Sequence, residues 1–327
     1  MRRALLSWTI GFALLILAFF GVVALLNSTT FSAHGFASSY LDALNRHDAT
    51  TARDLPGVRA PAGESTDLLT DAALGSLGTI KGIRLVSDTA EASGVHDVKF
   101  SYRLGSRTES TTFAVSQTTS FLGLFDRWEF HTSPLATVSV LAANDPRFRV
   151  NGAPEQTTTN YAVAQPYVVF APELYVFDHQ SLYLGASPID IPVSDPGSVT
   201  PVRVEAEPDT AFTKEVTAEL DQYYKKCATQ KIMFPTSCPF GKTIDNRVVS
   251  TPVWSIAKDP PMTLQPFQGT WLVPNTTGEA HLVVKVQSLY DGSVSTYDAD
   301  VPFQVAYKVT INPTTDHLTI QTLYATN

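Results

Sequence analysis

One uncharged apolar segment near the start of the chain constrains its placement more than any other feature. Residues 4–26 carry no charge, and Ser7 and Thr9 are their only hydroxyl side chains. A helix rises about 1.5 Å per residue, so a segment of 23 residues can cross a hydrocarbon core of about 30 Å. Secretory signals have shorter apolar cores, of roughly 7–15 residues. The sequence therefore predicts a retained transmembrane anchor within residues 1–30, and cleavage near Ser32 and Ala33 remains the alternative.

The charges on either side of this segment predict its orientation. Arg2 and Arg3 precede it, and Asp42 is the first charged residue after it. We expect a single pass through the cell membrane, with the N-terminus in the cytoplasm and the bulk of the chain outside. Taking the two arginines from the 23 basic residues leaves 21 against 31 acidic residues, a net charge of −10 outside. Nucleic acid and strongly anionic membrane surfaces are therefore disfavoured as partners.

The two cysteines agree with an oxidising compartment. Cys227 and Cys238 enclose ten residues that include Pro235, and a loop-like Pro239-Phe240-Gly241 follows them. Outside the cytoplasm such a pair is expected to form a disulfide. A redox pair favours the spacing C-x-x-C, and a zinc site needs about four ligands, whereas the seven histidines are scattered. These rival chemistries fit less well than a structural disulfide.

The outer chain divides by hydrophobic periodicity into three segments. Residues 31–132 begin with helical spacing at Phe36, Tyr40 and Leu44, followed by a short helix that Asp48 caps, and then strands such as 98–104. Residues 133–207 alternate strand candidates with Pro and Gly turns, which predicts a small all-β module. Residues 208–327 open with an amphipathic helix that Asp209 or Thr210 caps, and its predicted apolar face consists of Phe212, Val216, Leu220, Tyr223 and Cys227. Strands are predicted at residues 248–256, 270–273, 280–288, 301–311 and 318–323, with a turn at Asp291-Gly292. The predicted fold class is thus α+β, with a helix on an antiparallel sheet at each end of the outer chain.

The first of these segments resembles a known superfamily. Residues 36–49, with the sequence FASSYLDALNRHDA, look like the opening helix and turn of extracytoplasmic members of the nuclear transport factor 2-like (NTF2-like) superfamily. The resemblance covers about residues 33–132 and implies a curved antiparallel sheet wrapped around a helix. Residues from Asp209 onwards have a similar order and are interpreted as a second such domain. The whole layout looks like that of actinobacterial membrane-anchored proteins with NTF2-like extracytoplasmic domains.

The same resemblance points to a cavity, because some NTF2-like enzymes place a carboxylate and a tyrosine inside an apolar cone. Tyr40, Asp42 and Tyr102 are the candidates for such a cavity. The alternative interpretation is structural, since both tyrosines fall on predicted apolar faces and Asp42 falls on the polar side of its helix. No G-x-S-x-G, H-E-x-x-H, Walker loop or dinucleotide fingerprint is present. We therefore predict no catalytic residue, metal ligand or cofactor.

Aromatic residues are concentrated in the middle segment. Tyr161, Tyr167, Tyr175 and Tyr183 could form a contact surface for a sugar or a peptide, or could fill the core of a small β module. The leading hypothesis is a membrane-tethered, non-enzymatic binding protein of the cell envelope, with a protein, peptide or cell-wall component as partner. The alternative is a small-ligand receptor or enzyme that uses an NTF2-like cavity. A vacant cavity would favour the second, and a filled one the first.

Overall fold

A computed structural model describes residues 2–75, 80–118, 120, 123–158 and 161–323. The chain forms two compact units. Unit 1 comprises Met1–Ala142, Arg147–Asp178 and Ser187–Val204, and unit 2 comprises Ala143–Pro146, His179–Ala186 and Glu205–Asn327. The predicted middle segment, residues 133–207, is thus divided between the two units, with most of it in unit 1. Mixed α+β structure with mainly antiparallel sheets is confirmed.

The helices begin and end close to the predicted signals. They are α1 Arg2–Asn27, α2 Ala33–Asn45, α3 Ala49–Asp54, α4 Asp71–Leu74 and α5 Thr210–Ala228. The side chain of Asp48 accepts a hydrogen bond from the amide of Thr51 at 2.9 Å, and that of Asp209 accepts one from Phe212 at 2.8 Å. Both carboxylates satisfy otherwise unpaired amides of a first turn, which confirms the predicted caps. Among the residues whose side chains the structure describes, which in α1 are Trp8 and residues 11–27, no helix is long and apolar enough to span a membrane.

The strands account for the rest of the regular structure. In unit 1 they are β1 Lys81–Ala90, β2 Val95–Leu104, β3 Arg107–Gln117, β4 Trp128–Phe130, β5 Leu135–Ala143, β6 Arg147–Val150, β7 Ala153–Gln156, β8 Gln165–Phe170, β9 Glu173–Gln180, β10 Leu184–Val193 and β11 Val199–Glu205, of which β5, β9, β10 and β11 have residues in unit 2. In unit 2 they are β12 Glu207–Pro208, β13 Arg247–Val248, β14 Val253–Lys258, β15 Gln265–Phe267, β16 Thr270–Gln287, β17 Val294–Ile311 and β18 Leu318–Thr322. Most coincide with predicted strands, and β7, β12 and β15 are additional.

In unit 1, helix α2 packs on an antiparallel sheet of order β1-β2-β3-β4. Strand β2 alternates between the two faces as predicted, with Val98, Phe100, Tyr102 and Leu104 buried. Gly57 lies at φ +86°, where a β-carbon would overlap the backbone of Phe130. Only glycine lets the chain leaving α3 pass so close to β4.

Strands of the middle segment pack into the same core of unit 1. A three-stranded sheet has the order β11-β5-β8, and β6 pairs with both β7 and β9. Leu135, Val168 and Phe170 belong to one hydrophobic cluster with the buried residues of α2. The amide group of Asn151 donates to the carbonyl oxygen of Ala73 at 2.7 Å and so anchors the end of α4. The N-terminal segment and most of the β segment therefore share one core.

In unit 2, helix α5 packs on a sheet built around the long hairpin β16–β17, with β18 beside β17 and with β13, β14 and β15 beside β16. The sequence predicts two separate strands here, 270–273 and 280–288. The register instead shifts between Val273 and Thr276, and β16 continues past the irregularity. A β-carbon at Gly278 would lie 2.6 Å from the ring of Phe303, so glycine permits close packing at this position.

Candidate functional site

The three residues predicted for a cavity do not converge on an open site. Tyr40 and Tyr102 are buried in the core of unit 1, whereas Asp42 is exposed on the other face of α2. The hydroxyl of Tyr102 hydrogen-bonds Thr111, whose own hydroxyl donates to the carbonyl oxygen of Ser194 at 2.6 Å. Burial raises the pKa of Tyr102 to about 12. At neutral pH this hydroxyl is a proton donor that is already occupied within the protein.

Aromatic rings fill the space around Tyr40. Its ring centroid lies 5.3 Å from that of Phe130, 5.8 Å from that of Phe113 and 6.4 Å from that of Phe170. Its hydroxyl donates to the carbonyl oxygen of Pro134 at 3.1 Å. The contacts with Phe130 and Phe113 are edge to face, the packing that aromatic cores favour. Side chains therefore fill the space around Tyr40, where the NTF2-like resemblance predicts a cone-shaped ligand cavity.

A buried acid beside this aromatic cluster is the chemically least expected feature of unit 1. Glu173 is 1% exposed, and its Oε1 accepts a hydrogen bond from the amide of Leu174 at 2.9 Å. Burial raises the pKa of Glu173 to about 8, although the bond from Leu174 opposes the shift. Its carboxyl group is consequently neutral through most of the physiological range.

Two tyrosines lie within the electrostatic reach of Glu173. Burial raises the pKa of Tyr40 and of Tyr175 well above the ordinary value, and Glu173 adds to both shifts. The hydroxyl of Tyr175 donates to the carbonyl oxygen of Phe170 at 3.1 Å and accepts from the same residue's amide at 3.0 Å. Protonated carboxyl and phenol groups could stabilise an oxyanion. Here the phenols are bonded to backbone groups, and none of the three residues is more than 1% exposed.

A second polar cluster lies nearer the surface of unit 1. The carboxylate of Asp88 on β1 faces His96 on β2 at 2.8 Å and His34 on α2 at 3.2 Å. Partial burial raises the pKa of Asp88, but the hydrogen bonds from His96 and then His34 outweigh it, so the pKa is lowered. The ring of His96 also meets that of Trp128 edge to face at 4.9 Å. The arrangement links α2 to the edge of the sheet, and the scattered histidines of the sequence gave no sign of it.

Metal and thiol chemistry were the rival interpretations of the cysteine pair. Cys227 at the end of α5 is joined to Cys238 by a disulfide, which confirms the predicted bond and is consistent with an extracellular protein. In the part of the chain that the structure describes, no three His, Cys, Asp or Glu residues are placed to hold a metal ion. The bond ties the last turn of α5 to the loop that follows it.

The four tyrosines predicted as a contact surface lie in different environments. Tyr167 and Tyr175 are fully buried, and the hydroxyl of Tyr167 donates to the carbonyl oxygen of Gln156 at 2.9 Å. Tyr183 is half-buried against Phe212, with ring centroids 5.6 Å apart. Tyr161 is exposed. The structure does not bring the four rings together on one face, so a contact through this set remains a prediction that rests on Tyr161 and Tyr183.

The two most exposed large apolar side chains of unit 2 lie at the turn between β16 and β17. Tyr290 is 99% exposed and Leu289 is 73% exposed. Val294 follows on β17, and Val248 and Val249 lie on the neighbouring strand or directly after it, where Val248 pairs with Val286. We call these five residues, Val248, Val249, Leu289, Tyr290 and Val294, the apolar tip. Sequence reasoning placed a turn at Asp291-Gly292 but did not single out the residues before it.

Comparison with known proteins found no matching family model, no similar curated protein and no similar solved structure.

Proposed function

We propose that this chain is a membrane-tethered, non-enzymatic binding protein of the cell envelope. Helix α1 is the tether, and the rest of the chain lies outside the membrane and contacts a protein, a peptide or a cell-wall component. In this proposal unit 1 has an NTF2-like fold with a filled interior, and the helix and sheet of unit 2 are a related arrangement. The exposed apolar surface of α1 is the observation that carries the proposal.

Apolar side chains are exposed on every side of α1. Leu14, Leu15, Ile16 and Leu17 are consecutive, so together they point around the whole circumference of the helix, and each is at least 42% exposed. Phe12, Phe19, Phe20, Val22 and Leu25 are exposed as well. A helix that is apolar all round is stable when something apolar covers it, either a protein core or lipid. The 23-residue length and the two preceding arginines favour lipid and an inside-to-outside orientation.

The chemistry-bearing side chains of unit 1 favour binding over catalysis. A catalytic group must reach its substrate within hydrogen-bond distance. Tyr40, Tyr102 and Glu173 are instead enclosed in the core, and Asp42 stands apart from them on the surface. The outer part also has a net charge of −10, which favours basic or neutral partners.

The tether can be tested in cells by introducing charged residues in the middle of α1. Replacing Leu14 and Leu17 together with Asp should move the full chain from the membrane fraction to the soluble fraction, because each charge at the centre of a bilayer helix costs roughly 2.5–3.5 kcal/mol. Leu182→Asp, an exposed apolar position in unit 2, is the matched control and should leave the chain in the membrane. Protease added to intact spheroplasts should digest the outer part of the wild type. Protection of that part, or release of a cleaved soluble form, would contradict the proposal.

Binding can be tested by crosslinking in the native cell followed by identification of what the chain retains. Replacing Tyr161 and Tyr183 by Ser should weaken capture if the remaining exposed aromatics form the contact. The paired control, Phe267→Ser, changes an exposed ring elsewhere. If every variant captured the partner as well as the wild type does, the aromatic contact would be contradicted, and the proposed tether would be unaffected.

An enzyme or small-ligand receptor is the second candidate, favoured by the neutral carboxyl of Glu173 beside two tyrosines. Opening of the core around Tyr40 would be required for a ligand to reach these groups. If the purified protein turned over a small molecule, and Glu173→Gln or Asp42→Asn abolished turnover without unfolding it, this candidate would replace the binding proposal.

A further inference from the structure

The backbone amides at the end of the apolar tip are already hydrogen-bonded within the protein. Each amide from Ser288 to Ser293 donates a hydrogen bond inside the protein. The acceptors are the carbonyl oxygen of Ser293 for Ser288, Oδ1 of Asn246 for Leu289, Oγ of Ser288 for Tyr290 and Asp291, the carbonyl oxygen of Ser288 for Gly292, and Oδ1 of Asp291 for Ser293. Each unpaired backbone group adds to the cost of moving a turn out of water. The six amides of this turn are already paired within the protein, so they add little to that cost.

The side chains of the tip match the boundary between lipid tails and headgroups. Leu289 and Tyr290 protrude at the end of a hairpin, and Val249 and Val294 add apolar surface behind them. Tyrosine is enriched at this boundary because its ring is apolar and its hydroxyl stays wet. A protruding pair needs no complementary hollow in a fluid bilayer, whereas a folded protein partner would have to provide one.

The charged residues around the apolar tip indicate which kind of membrane surface it would bind. Asp245, Arg247, Lys285 and Asp291 are all exposed, and they carry two negative and two positive charges. Zwitterionic headgroups likewise present a phosphate and an ammonium group. Asp291 also limits the depth, since hydrogen bonds from Ser293 and Ser288 lower its pKa and keep it ionised. The surroundings of the tip therefore complement a headgroup layer of mixed charge better than a strongly anionic one.

We propose that the apolar tip of unit 2 docks shallowly into the lipid–water boundary of a membrane, with Leu289 and Tyr290 among the lipid chains and the four charges at headgroup level. This gives the chain a second membrane contact, distinct from α1. It depends on the proposed tether only for proximity to the bilayer.

Single-cysteine probes test the docking in the full chain. Both native cysteines are in the disulfide, so an added cysteine is the only free thiol. Tyr290→Cys, Phe12→Cys and Thr314→Cys, each carrying a polarity-sensitive fluorophore, would be reconstituted into phosphatidylcholine vesicles with spin-labelled lipid as quencher. Thr314 is the matched control, because it lies on the polar turn between β17 and β18. We expect several-fold stronger quenching at position 290 than at position 314.

The outcomes separate the tip from the tether. Quenching at position 12 without quenching at position 290 would support α1 as the tether and would overturn the docking proposal. The apolar tip would then be a contact for a protein partner. Quenching at 290 without quenching at 12 would support docking and remove the tether. Leu289→Ser should reduce the signal at 290 severalfold, and added salt should not. An unchanged signal with Leu289→Ser, or its loss in salt, would show that apolar contact does not drive the association.

Discussion

Helix α2 of unit 1 and helix α5 of unit 2 both cover an antiparallel sheet, but they are held there differently. Half of the six buried residues of α2 are alanines, Ala33, Ala37 and Ala43, which allow the backbone to approach its neighbours closely. Helix α5 buries large side chains, among them Phe212 and Leu220, and a disulfide fixes its last turn. The core around α2 also contains a carboxyl group at Glu173. We therefore expect unit 1 to respond to pH and unit 2 to respond to reduction.

The largest expected effect is the pH dependence of unit 1. In the unfolded chain Glu173 ionises near 4.5, whereas in the folded protein burial raises its pKa to about 8. Between these values the folded state binds more protons, so stability is full below about 4.5 and falls as the pH rises, by about 1.4 kcal/mol per pH unit at most. Glu173→Gln should remove most of this slope and stabilise unit 1 near pH 8. Hydrogen exchange of unit 1 peptides as a function of pH measures the effect.

The matched control is Glu91→Gln, which changes a carboxylate on an exposed turn of unit 1. It should leave the slope of the wild type intact. If Glu173→Gln kept the full slope, another group would be responsible, and the contrast between the two cores would lose its basis.

Reduction should act on unit 2 instead. Replacing Cys227 and Cys238 by Ser should destabilise this unit by about 3 kcal/mol, the value that chain entropy assigns to a closed loop of about this length. Faster hydrogen exchange in α5 and its following loop is the expected result. Free thiols in protein isolated without reductant would contradict the bond. An equal loss of protection in unit 1 peptides would show that the bond stabilises more than its own unit.

The same contrast separates what the sequence could predict from what it could not. The starts of helices α3 and α5 could be predicted from local sequence, because the capping carboxylates of Asp48 and Asp209 bond only to amides of the turn that follows them. The buried tyrosine of α5 was misplaced by one residue. The spacing suggested Tyr223, whereas Tyr224 is buried, since it alone continues the four-residue step from Val216 through Leu220 towards the sheet.

Burial that depends on distant parts of the chain could not be predicted. Glu173 lies between Pro172 and Leu174, where a charged residue is typical of an exposed turn, and its environment is created by the core that α2 and β8 share. The cluster of Asp88 with His34 and His96 joins three separate elements, so no spacing signals it. The split of residues 133–207 between two units also arises from tertiary packing, which turn signals do not encode.

The smallest expected effect compares the tyrosine hydroxyls that the two helices bury. Tyr40 of α2 donates to the backbone at Pro134, whereas the hydroxyl of Tyr224 in α5 lies 2.8 Å from that of Tyr307 on β17. Tyr224→Phe should cost about 1–2 kcal/mol in free energy of unfolding, because it leaves a buried hydroxyl on Tyr307 without its partner. Tyr307→Phe should cost about the same.

The double variant decides whether this pair is a linked unit. Replacing both Tyr224 and Tyr307 by Phe removes donor and acceptor together, so its cost should fall below the sum of the single costs by about 1 kcal/mol. Tyr40→Phe has no equivalent rescue, since its acceptor is a main-chain carbonyl that substitution cannot remove. Denaturant unfolding of the three unit 2 variants, with Tyr40→Phe alongside, measures the coupling. Strict additivity in unit 2 would mean that each hydroxyl finds another partner when the other is lost, and the two helices would then differ only in the disulfide and the buried acid.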